Sequence, residues 1–78
     1  MTDNDQQETA RGMMRAAYAD MHRFFRAART ADSMTARAFW LSRVARQAEH
    51  INAMTDIFIN LDVLPLDEIE QMEEAYHV

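Results

Sequence analysis

An all-α fold is what this sequence predicts: a long antiparallel helical hairpin with a short third helix, a small helical bundle. Three observations carry that expectation. One glycine and one proline in 78 residues leave almost nothing to punctuate strands or long loops. Ala, Met, Arg, Glu and Gln dominate, all good helix formers. Apolar residues recur at steps of three and four over two long stretches, the period of a helix face.

The first helix is expected from about residue 5 to 31. The acidic cluster Asp3–Asp5 caps its start, and Ala10, Met13, Met14, Ala17, Met21, Phe24, Phe25, Ala28 and Ala31 form its stripe. Gly12 marks either a frayed first turn or a close helix contact, at a cost of about 1 kcal/mol relative to Ala. Asp32 and Ser33 are good N-caps standing between two periodic stretches, so they mark a tight turn and a hairpin. The second helix is expected over about 33–61. Pro65 suits the first turn of a new helix, and Asp67 and Glu68 complement the positive end of its dipole. A third helix over about 65–76 follows, with Leu66, Ile69, Met72 and Tyr76 as its stripe. The whole chain, 1–78, reads as one helical domain.

A chain this short buries only about 60% of the surface its unfolded form exposes. With no cysteine, neither disulfides nor thiolate metal sites supplement the core. Tight packing or oligomerisation is left, so a homodimer is expected. No stretch reaches the roughly 20 apolar residues that a membrane span needs. The first eight residues are acidic and polar, unlike a secretory signal, and a cytoplasmic location is expected.

The net charge of −5 conceals a segregation. Residues 1–10 sum to −3; residues 11–47 set eight arginines against Asp20 and Asp32, for +6; residues 48–78 sum to −8. A basic middle and an acidic end invite pairing within the molecule or between copies. All basic residues are arginine. Its planar fork grips carboxylate or phosphate and stacks on rings, although codon bias alone yields the same composition.

The second helix carries two apolar faces. One is Met34, Ala38, Leu41, Ala45 and Ala48, with Val44 and Ile51 at its edge, and is expected to be the hairpin core. The other runs Phe39, Arg43, Arg46, His50, Met54, Ile57 and Leu61, flanked by Trp40, Gln47 and Phe58. The third helix is expected to run back along Leu61, Ile57 and Met54, bringing Glu70, Glu73 or Glu74 near His50 and Arg46. That leaves Phe39, Trp40, Arg43 and Arg46 uncovered, as a partner-binding patch rich in hot-spot residue types. The bland reading is that Trp40 packs at the hairpin edge and Phe39 closes a dimer.

On the first helix, Arg11, Arg15, His22, Arg26 and Arg29 fall within about 60° of one another. Such a ridge would suit an acidic protein partner or nucleic-acid phosphates, or be a solvated or self-paired face. The negative total charge and the missing short helix-turn-helix weigh against nucleic acid.

Catalytic and metal chemistry find no footing. Ser33 is explained as a cap, and Ser42 has no evident base. His22, His50 and His77 lie on separate segments without the Glu-x-x-His spacing of a helical metal site. The run Asp67 to Glu74 reads as a capped, solvated helix face or as a mimic of polyanion charge. Seven methionines fit irregular core gaps and adaptable surfaces.

The expected function is a small non-enzymatic protein-interaction module, without cofactor or metal, that binds or inhibits a larger protein assembly. Regulators from phages and mobile elements often have this format, an analogy that no motif here carries. A nucleic-acid-associated regulator using the arginine ridge is the second reading. A structural helical subunit of an obligate complex is the third.

Overall fold

The computed structural model describes residues 3–76, the side chain of Asp3 excepted. Its elements are α1 (Asp3–Thr30), α2 (Met34–Asn60) and α3 (Leu66–Ala75), with no strand among the described residues. The molecule measures 48 × 21 × 19 Å. No helix of it is long and apolar enough to cross a membrane.

The turns have local causes. Ser33 caps α2 as its spacing requires, its hydroxyl accepting from the Ala36 N–H at 3.0 Å while its carbonyl accepts from Arg37. The end of α2 follows a pattern that usually calls for glycine. Asp62 takes a left-handed backbone, φ 57°. The Val63 N–H reaches the Phe58 carbonyl at 2.8 Å and the Asp62 N–H reaches Ile59 at 3.0 Å. These two bonds are the Schellman closure of a helix C-terminus, and Val63 and Phe58 both pack onto the core beside it. Pro65 stands one residue before α3, as its N-cap, with extended ψ of 150°. Asp67 and Glu68 occupy the first turn. Gly12 lies well inside α1, exposed, and a Cβ there would meet nothing within 4 Å. It is therefore neither a frayed end nor a close helix contact.

Two expectations about packing are corrected. The hairpin seam does not use the face Met34, Ala38, Leu41, Ala45. Met34 is 82% exposed, Leu41 44%, and both alanines are exposed. The seam is Ala36, Trp40, Val44, Gln47, Ile51, Met54 and Phe58: it keeps Val44 and Ile51 from the edge of the expected core face, takes Met54 from the other, and centres on the residues between them. Volume decides this. Burying Trp, Val, Ile, Met and Phe removes far more apolar area from water than burying a row of alanines. Gln47 is accommodated because its Nε2 donates to the Ala17 carbonyl at 3.2 Å.

The second correction concerns α3, which does not run along Ile57 and Leu61. It crosses to the other side of the hairpin and lies chiefly on α1. Arg11 Nε donates to Glu68 Oε2 at 2.9 Å near the start of α3. Tyr18 stacks on Tyr76 at its end, ring centroids 6.3 Å apart and nearly parallel. From there Leu64, Ile69 and Met72 close over Ala10, Met14, Ala17, Tyr18, Ile51 and Met54, a buried cluster joining all three helices. Met14 and Leu64 are its fully enclosed members. The acidic helix thus meets the arginines of α1 rather than Arg46 and His50.

Candidate functional site

With α3 on one side of the hairpin, the opposite side of α1 and α2 stays open along its length. On α2 that side presents Phe39, Arg43, Arg46, His50, Ile57 and Leu61, half a helix turn away from Ala48, Asn52 and Thr55, which border α3. Phe39 and Ile57 are each 52% exposed and Leu61 69%. Across from them on α1, Met13 is also half exposed. A shallow groove lined by Gln6, Thr9, Ala10, Phe58, Leu61 and Val63 marks the lower end of this side. The uncovered strip is therefore longer than the patch expected from sequence, because α3 does not shield Ile57 and Leu61.

At the turn end the strip becomes an arginine–aromatic cluster. Trp40, half-buried, stacks on Phe24 with centroids 5.9 Å apart and meets Phe39 edge-on at 5.1 Å. Arg43 spans the two phenylalanines, its Cζ 5.2 Å from the Phe24 centroid and 5.5 Å from that of Phe39. Arg23 stands over Phe24 at 5.9 Å while its Nη2 pairs with Asp20 at 2.5 Å. Ring pairs of this kind contribute about 0.5–1.5 kcal/mol beyond area. Exposed cation–π contacts contribute about 0.5–1 kcal/mol. The result is a set of large side chains held in fixed orientations at the surface. Phe39, Trp40 and Arg43 are brought together; Arg46 sits exposed one turn along α2, outside the ring contacts. Sequence reasoning missed Phe24, which it placed in the core stripe of α1. The signal was its equal spacing from the turn: counting outward from Asp32, residues 24 and 40 face each other.

The arginine ridge of α1 is divided. Arg11 is part-buried and held by two carboxylates, Glu68 and Glu8, the latter at 2.6 Å. Those hydrogen bonds, Glu68's first, raise its pKa and keep it charged. Arg15 borders a crevice formed with Glu68, Gln71, Met72, Ala75 and Tyr76. Arg26 and Arg29 lie beyond the end of α3, exposed, with Arg29 beside Phe25, Ala28, Arg37 and Leu41. The four do not form one continuous basic strip.

The same seat perturbs Tyr18. Burial, and secondarily the charge of Glu73, raise its pKa above the ordinary 10.0. The folded chain then keeps a proton that the unfolded chain releases. The associated stability is whole below pH 10 and is lost as pH rises toward the higher folded value. A thermal unfolding series from pH 8 to 11 is expected to show that alkaline loss in the wild type, and a shallower one in Tyr18→Phe. Equal slopes would mean that Tyr18 titrates alike in both states.

For metal chemistry, no three His, Asp or Glu side chains converge among the described residues. His22 Nδ1 is buried without a hydrogen-bond partner. His77 lies outside the described residues. Comparison with known protein families, curated proteins and solved structures finds no match to this chain.

Proposed function

We propose that this chain is a non-enzymatic protein-interaction module that docks through the α3-free face and so binds or inhibits a larger protein assembly. The carrying observation is that face itself: Phe39, Ile57 and Leu61 exposed in line, ending in the Phe24–Trp40–Phe39–Arg43 cluster. Scattered apolar residues need no explanation. One open face with the aromatic cluster at one end, Ile57 and Leu61 at the other and Arg43, Arg46 and His50 between them has the aromatic and arginine mixture of an interaction surface. Aromatic and arginine anchors are what binding hot spots are made of. A homodimeric state and a cytoplasmic location belong to the same reading.

The test compares faces. Tagged wild type captures its partner from the source cells, and the partner is identified and purified. Arg43→Glu and Trp40→Ala are then expected to weaken that complex by about 30-fold or more, the loss typical of hot-spot truncation. Arg26→Glu, on a different face, is expected to bind as wild type. If Arg26→Glu is the variant that fails and binding collapses between 50 and 200 mM salt, the nucleic-acid reading replaces this one.

A further inference from the structure

We infer that the α3-free face is first occupied by a second copy of this chain, packed face to face and antiparallel; this rests on reading that face as a protein-docking surface. Three observations lead there. Phe39, Ile57 and Leu61 have no cover within the chain, and each exposes half or more of a large apolar side chain on the same side of α2. The second is length: the molecule is 48 Å long and only about 20 Å across, so a second copy laid alongside makes its contact over the whole open side. The third observation is charge, and it selects both occupant and orientation.

The fold turns the segregated sequence into a polar rod. Residues 20–46, at the turn end, hold six arginines against Asp20 and Asp32. Residues 47–76 hold eight carboxylates and no arginine and lie in the opposite half with α3; residues 3–19 share that half and set Arg11 and Arg15 against Asp3, Asp5 and Glu8, so it stays strongly negative. Two such rods side by side attract when antiparallel and repel when parallel. The effect is screened over a Debye length of about 8 Å, so it orients the pair while the apolar strip holds it.

An antiparallel two-fold across this face stacks α2 on its own copy. With the axis near His50, Phe39 of one copy falls opposite Leu61 of the other, and Arg43 opposite Ile57. Met13, level with His50 across the seam, falls near the axis too. Exposed Phe39 thus meets exposed Leu61 at both ends, and the Arg43 stem lies against Ile57. Phe39, Trp40 and Arg43 then lie within the dimer, so a foreign protein that takes them displaces the second copy. Self-association would hold the docking face closed until a partner competes for it.

The experiment measures molar mass of the full chain by light scattering up to about 1 mM, the upper range of weak association. A mass of two chains is expected, falling to one in Ile57→Glu/Leu61→Glu with helicity retained, since both positions are exposed in the single chain. The chain has no native cysteine, so single cysteines report orientation cleanly. Under mild oxidation His50→Cys is expected to cross-link to itself and Asp32→Cys is not. A monomer at every concentration overturns the inference and leaves the docking face to the partner-capture test. A dimer that survives Ile57→Glu/Leu61→Glu, or one that cross-links through Asp32→Cys, overturns it as well. The docking-face reading fails differently: Arg43→Glu and Trp40→Ala then alter neither self-association nor partner capture.

Discussion

Leu64→Ala is expected to lower the unfolding free energy by about 2–5 kcal/mol, the range for a large-to-small change in a closed core. For 78 residues the total is about 4–12 kcal/mol, so this one side chain carries a large share of the stability. Leu64 is 2% exposed although it belongs to the connection between α2 and α3. The Schellman closure at Asp62 aims the chain so that Leu64 enters the space bounded by the buried residues of α1, α2 and α3. Of its neighbours, Val63 packs only at the edge of that space and Pro65 and Leu66 are exposed, so Leu64 is the side chain that fills it. Urea or thermal unfolding followed by circular dichroism checks the value. At about 4–8 °C per kcal/mol the midpoint falls by 10 °C or more. A shift of only a degree or two would mean that α3 is not seated on the hairpin as described.

That prediction had no counterpart at the sequence level, and the reason is physical. The helices themselves were legible because they are written in local chemistry: the apolar period, the serine cap, the proline before α3. The observed bounds fall within two residues of those expected. The seat of α3 is not local. It depends on a left-handed backbone at Asp62, where no glycine advertises it, and on Leu64, which periodicity assigns to neither helix. The pairing of Arg11 with Glu68 spans 57 residues and is visible only as matching charge segregation. The candidate patch shows the same division. Phe39, Trp40 and Arg43 were identifiable as neighbours on one helix, whereas Phe24 joins them only once the hairpin closes. The α2 seam was misplaced because alanines and tryptophan were weighted alike. An apolar pattern gives a direction only when each position is weighted by the area it buries.

The misplaced seam yields the other large effect, a contrast between two substitutions six residues apart. Ile51→Asp is expected to cost about 4 kcal/mol or more and to leave the chain largely unfolded at neutral pH. Ile51 is 4% exposed in the three-helix cluster, and the crevice beside it is lined by Tyr18, Met21, Ile69, Glu70 and Glu73, with no cation among its described residues. A carboxylate forced into such a site loses its hydration without gaining a partner. Ala45→Asp, on the face that sequence alone assigns to the core, is expected to cost only about 0.7 kcal/mol, the difference in helix propensity. Its position is exposed, so the added charge stays in water. Ile51 belongs to the core in both readings, whereas Ala45 changes role, so the Ala45→Asp melting curve distinguishes them and Ile51→Asp calibrates the loss expected of a core site. Acid provides an internal control. Burial raises the folded pKa of the introduced carboxyl above its unfolded value, so its penalty is full at neutral pH and shrinks as pH falls toward about 4. Ile51→Asn, which cannot titrate, is expected to show no such recovery relative to wild type. If instead Ala45→Asp unfolds the chain as Ile51→Asp does, the seam lies on the alanine face. Trp40 would then turn away from Phe24, and the arginine–aromatic cluster would not form as described.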